Sequence, residues 1–149
     1  MRRILTIAAT CAAVAGAALA QQPNAHAASK PKRVGAYDWA KTQDGCTYTD
    51  GGSGPCSQGY DCSGLVMKAY QQVGIGLPHN TQAMINSGKL TRESSPHQGD
   101  LVFYDGNNHV EIYDQHGWTF GATTSGQNAG WHDYGSSYPP DAYYRVNGA

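Results

Sequence analysis

The apolar residues change period half-way along the chain. Leu65, Val66, Ala69, Tyr70 and Val73 follow the i, i+3, i+4, i+7 spacing of an amphipathic helix. From residue 101 onward the apolar runs are short, rich in aromatic and β-branched residues, and broken by turns. They are Leu101–Tyr104, His109–Tyr113, 118–123 and Ala142–Val146. Asp105-Gly106-Asn107-Asn108 and residues 114–117 supply turn signals. Helices first and antiparallel strands second predict an α+β domain. A further helix is expected over 34–43, with Ala36, Trp39 and Ala40 on one side. A short one is expected from a cap at Asn80 or Thr81 to near Gly88. Residues 45–60 read as a loop.

The chain has 149 residues, enough for one domain, and no 20–50-residue repeat is visible. A formal net charge of −1 excludes a polybasic nucleic-acid binder. Residues 1–27 read as a secretory signal. Arg2 and Arg3 precede an uncharged run over 4–20, and Ala25-His26-Ala27 fits the small-x-small cleavage rule. Ala18-Leu19-Ala20 is a second cleavage choice, and a membrane anchor is the bland alternative. Cys11 lacks the neighbours expected of a lipoprotein cysteine. Cleavage after Ala27 leaves a short leader, 28–33, and a domain over 34–149. It leaves a net charge of −3 and no stable membrane anchor.

Export makes the cysteine count informative. Cys46, Cys56 and Cys62 remain, which allows one bridge and one leftover thiol. Cys46 and Cys56 flank the glycine-rich segment 47–55 and are expected to pair, a closure worth roughly 2–3 kcal/mol. Zinc is the other use of such a set, but the spacings lack close C-x-x-C pairs. Cys62 is left free, at a helix start behind the N-cap candidate Asp61. There, unpaired backbone N–H groups and the helix dipole favour thiolate. A base is needed. Alternation puts His109, Glu111 and Tyr113 on one strand face, and a strand crossing the helix start would deliver His109 to the thiol. Each residue also has a plain structural reading: a cysteine in an amphipathic helix is usually core, and a strand histidine is usually core or surface.

Asp61-Cys62-Ser63-Gly64-Leu65-Val66 resembles the nucleophile motif of the NlpC-like cell-wall endopeptidases, a papain-like superfamily. Gly45-Cys46-Thr47-Tyr48 with Gly51-Gly52, the stretch Gln98 to Tyr104, and His109-Val110-Glu111-Ile112-Tyr113 are similar to three further family motifs in the same order. The resemblance covers roughly residues 34–146. It implies a papain-like NlpC-type fold, with N-terminal helices packed on an antiparallel sheet. It implies hydrolysis of amide bonds in peptidoglycan stem peptides, commonly between γ-D-Glu and a diamino acid. Cys62 would be nucleophile and His109 base, and Tyr48, Asp61 and Ser63 would line substrate subsites. Asp61 and Ser63 also read as helix-capping residues.

The sequence departs from the family pattern at one point. Relatives usually orient the base with a polar residue on the next strand, where this chain has Phe120-Gly121-Ala122. Glu111 stands where relatives have Gly. The pair reads as an exchange, with Glu111 orienting His109 in the room that Gly121 leaves. His116, His132 and a backbone carbonyl compete for that role. No cofactor or metal is required, and a monomer is expected. Two other functions stay open, a wall-peptide-binding module without activity and a cysteine acyltransferase. Trp118, Trp131, Tyr134, Tyr138, Tyr143 and Tyr144 read as cover for the sheet, with a stacking surface for sugar or peptide as the alternative.

Overall fold

A computed structural model describes residues 29–133 and 135–149. The expected signal segment, Cys11 and Tyr134 lie outside the described residues. Three helices precede the sheet: α1 (Lys32–Lys41), α2 (Cys62–Gln72) and α3 (Thr81–Asn86). Six strands follow: β1 (Leu90–Glu93), β2 (Leu101–Tyr104), β3 (His109–Tyr113), β4 (Thr119–Gly121), β5 (Gly130–His132) and β6 (Ala142–Val146). The sheet order is β1-β6-β2-β3-β4-β5, with antiparallel pairing throughout. The α+β architecture expected from the change of period is the one observed.

α2 and α3 each start on a capping side chain. Asp61 is extended, and its side chain accepts from Gly64 N, capping α2. Asn80 does the same for α3 through Ala83 N. Gly74, at φ 79, turns the chain away after α2. α1 begins two residues earlier than the expected 34–43 and ends at Lys41.

The core lies between the helices and one sheet face. Leu65, Val66, Ala69 and Tyr70 of α2 meet Leu101, Phe103, Val110, Ile112 and Phe120 in one buried cluster. The Tyr70 hydroxyl donates to Gly99 O at 2.6 Å, fastening α2 to the turn before β2. Tyr144 stands edge-on to Phe103 and Trp131 edge-on to Phe120, while Trp118, Trp131 and Tyr138 are exposed.

The structure departs from two expectations. The strand expected over 118–123 is only Thr119–Gly121. β1 and β5 were not expected, because LTRE and GWH carry no apolar alternation. They form because β6 and β4 offer free edges to pair with. The loop over 45–60 is held by the expected bridge and by the sheet. Cys46 and Cys56 form a disulfide. Gly45 N donates to Ala129 O, Ala129 N to Cys46 O, and Tyr48 N to Gln127 O, which stitches the segment to the β4–β5 connection.

Candidate active site

The start of α2 meets the start of β3 at an open cleft. Tyr48, Cys62, Asp105, Asn108, His109, Thr123, Thr124 and Tyr138 line it, and its volume is about 470 Å³. Cys62 is the free cysteine of the described residues and is partly exposed. It is the first residue of α2, where the helix presents its unpaired N–H groups.

The position of Cys62 depends on two glycines. Gly52 O accepts from Asp61 N at 2.9 Å, so the pinned loop runs against the helix start. A Cβ on Gly64 would lie 2.0 Å from Gly52 O. Only glycine lets the helix approach that closely.

His109 is buried and lies between two partners. It shares the cleft wall with Cys62 on one side. On the other, Nε2 lies 2.9 Å from Glu111 Oε1. Burial alone would depress the imidazole, but the neighbouring Cys62 sulfur and the Glu111 carboxylate outweigh it and push His109 up to about 9. The ring also lies 6.1 Å from that of Tyr104, which stacks in turn on Tyr138 at 5.3 Å.

Glu111 is fully buried. Its Oε2 accepts from Thr119 Oγ1 at 2.5 Å, and its Oε1 accepts from Thr123 Oγ1 at 3.4 Å. His132 Nδ1 lies 3.0 Å from Oε1 and 3.1 Å from Oε2. Burial would raise this carboxyl, yet the bonds from His109 and His132 hold it down at about 2. A Cβ on Gly121 would fall 2.5 Å from Glu111 Cγ. Glu111 therefore occupies the space a β4 side chain would need.

Tyr48 lines the cleft beside Cys62. Asp61 and Ser63 stand at the helix start but are not among the lining residues. Asp61 Oδ1 accepts from Gly64 N at 2.6 Å and from Ser63 Oγ at 3.0 Å. His79 Nε2 lies 3.0 Å from each Asp61 oxygen, a partner that sequence reading missed. His116 sits in the β3–β4 turn at φ 60, while His132 meets Glu111 rather than the base. Thr119 and Thr123 were missed as site residues, and His132, a candidate for orienting the base, meets Glu111 instead, because only strand register brings them together. Among the described residues, no cluster of His, Cys, Asp and Glu is arranged to hold a metal ion.

The arrangement is a thiol at a helix start, a buried imidazole beside it, and a carboxylate behind the imidazole. It can deprotonate the thiol and hold the resulting cation. The family model described as NlpC/P60 family matches residues 45–147. A Mycobacterium tuberculosis protein named "Probable endopeptidase Rv2190c" is 45% identical over 82 residues, 54% of this chain and 21% of that protein. A Corynebacterium glutamicum "Probable endopeptidase" is 40% identical over 115 residues, 76% of this chain and 53% of that protein. The solved NlpC/p60 domain of peptidoglycan hydrolase SagA superposes with a TM-score of 0.67 at 25% identity, covering 76% of this chain and 98% of that one. The chain spans between a fifth and about half of the length of these curated relatives.

Proposed function

The chain belongs to the NlpC/P60 family, and from that premise we propose that it is an exported cysteine peptidase that hydrolyses amide bonds in peptidoglycan stem peptides, with γ-D-Glu–diamino acid as the bond cut. The observation that carries this reading is His109, in one cleft with the free Cys62 thiol and backed by the buried Glu111 carboxylate.

His109 takes the Cys62 proton, and the thiolate sulfur attacks the amide carbon. The carbonyl electrons move to oxygen, which the N–H groups of the α2 first turn are placed to meet. Collapse of that intermediate breaks the C–N bond, and imidazolium returns its proton to the leaving amine. Water, deprotonated by His109, then cleaves the thioester and restores the thiol. Glu111 holds the ring in the tautomer with hydrogen on Nε2 and stabilises its charged form. Tyr48 stands on the cleft wall for substrate, and Asp61 and Ser63, outside the cleft lining, hold the helix start that carries Cys62. The disulfide and the N-terminal apolar run support export. A monomer suffices, because one chain supplies every group named.

The test uses the chain from residue 28 onward beside Cys62→Ala, each incubated with purified peptidoglycan and defined stem peptides. Mass spectrometry should find fragments that together exceed the substrate by one water, and none with Cys62→Ala. No cleavage by either form, with an unreactive Cys62, would instead favour a wall-peptide-binding module. An acyl group carried to an amine in place of water would favour the transferase.

A further inference from the structure

We infer that His132 is a positioning residue for the Cys62–His109 pair: from β5, two strands away from the base, it clamps the Glu111 carboxylate so that one oxygen stays on His109 Nε2. The inference rests on the proposed Cys62–His109 chemistry and extends it to a residue outside the cleft.

Glu111 is a long side chain on the third strand, buried where a single carboxylate needs several donors. Its terminal torsion is soft, so two bonds from its own end of the sheet do not fix its plane. His132 supplies the third support. Its Nδ1 lies astride the two oxygens, at 3.0 Å and 3.1 Å. A carboxylate only accepts, so Nδ1 must carry the hydrogen. His132 Nε2 lies 2.8 Å from Thr123 Oγ1; a hydroxyl turned to donate there gives up its longer 3.4 Å contact with Glu111 Oε1, which leaves His109 and Thr119 as the two other partners of the carboxylate. Register makes the approach possible. His132 is directly opposite Thr119, which also bonds Glu111, while Gly121 opposite Gly130 leaves the intervening strand bare. A β3 carboxylate can thereby be gripped from β5.

Other titratable groups face this cluster. His109 adjoins it on β3, with Cys62 beyond it on α2. Tyr104 on β2 hydrogen-bonds Thr119, and Tyr138, before β6, feels the charge of Glu111. Asp133, next to His132 in the chain, lines the same hollow as Tyr104 and Thr119. None of these replaces a lost Nδ1–H on Glu111, because tyrosine hydroxyls already engaged elsewhere and another carboxylate cannot grip both oxygens. Without the clamp, Glu111 supports the imidazolium less. The thiolate–imidazolium pair then forms over a narrower pH range.

The experiment compares wild type, His132→Ala and His132→Asn, whose side-chain N–H can stand in for Nδ1–H. The readouts are kcat and KM on stem peptide, the pH profile of Cys62 alkylation by iodoacetamide, and the thermal midpoint. His132→Ala should lower kcat about tenfold or more with little change in KM, an effect typical of groups that orient a working ligand. Its alkylation onset should move to higher pH, and the alkaline limb of kcat should move to lower pH. His132→Asn should restore both limbs. A His132→Ala profile identical to wild type overturns the inference. So does a loss of activity that follows the thermal midpoint alone with alkylation unmoved. If no wall peptide is cut but alkylation still depends on His132 in this way, the inference stands and the substrate reading falls. If wild-type Cys62 alkylates as an ordinary thiol, both fall.

Discussion

Glu111 and Gly121 face each other across β3 and β4, and one exists at the expense of a side chain on the other. Glu111→Gln should keep the shape and lose the charge, lowering kcat/KM by about 100-fold or more, since the imidazolium loses its counter-ion. Wild-type kinetics for Glu111→Gln would remove Glu111 from the mechanism. Gly121→Ala puts a Cβ 2.5 Å from Glu111 Cγ, an overpacking worth about 1–3 kcal/mol, and should displace the carboxylate from His109. The matching readouts are a lower thermal midpoint and an alkylation profile like that of Glu111→Gln. Cys62 was legible from cysteine arithmetic, and Glu111 from the missing polar residue on the following strand. Thr119 and Thr123 were not legible, and His132 was legible as a candidate but not as a partner of Glu111, because these contacts exist only through strand register. His79 was not legible either: its contact with Asp61 joins the segment before α3 to the start of α2, and nothing local in sequence announces it.

At the scale of elements, α2 is set in place at both ends. Gly64 lets its first turn press on Gly52 O, and the Tyr70 hydroxyl reaches Gly99 O near its end. Tyr70→Phe should cost about 1–2 kcal/mol, measured by denaturant unfolding, because it orphans part of a buried carbonyl's bonding while leaving packing intact. The cleft lies at the other end of α2, so kcat should barely move. β2, β3 and β6 were readable in full because both faces of those strands carry large apolar or aromatic residues. β1 and β5 are edge strands of three or four residues, held by their neighbours' open hydrogen bonds rather than by their own pattern. That is also why the strand expected over 118–123 contracts to three residues: pairing with β5 ends at Gly121.

For the whole molecule, the buried pair couples folding to pH. Glu111 is held below its ordinary 4.5, so its contribution is present above that value and fades as pH falls toward about 2. His109 is held above its ordinary 6.5, so its contribution is complete below that value and is lost as pH rises through about 9. The His109–Glu111 interaction contributes to both shifts, beside Cys62 for His109 and His132 for Glu111, and is whole between pH 4.5 and 6.5. The thermal-midpoint gap between wild type and Glu111→Gln should be widest in that window and shrink on either side. The Cys46–Cys56 bridge spans ten positions of sequence and fixes the segment that carries Tyr48 and Gly52. Cys56→Ser should lower stability by about 2–3 kcal/mol and weaken substrate binding before it alters the thiol. The clash between a position-121 side chain and Glu111 also bears on how sequences with this fold can change. A chain with its orienting group at position 121 cannot accept Glu at 111 first without expelling one of the two. Single substitutions join the two arrangements only through a form that holds neither group, or one in which both are forced out of place. The two solutions are separate neighbourhoods of sequence, and assigning the orienting residue by aligned position alone points, in this chain, to a glycine.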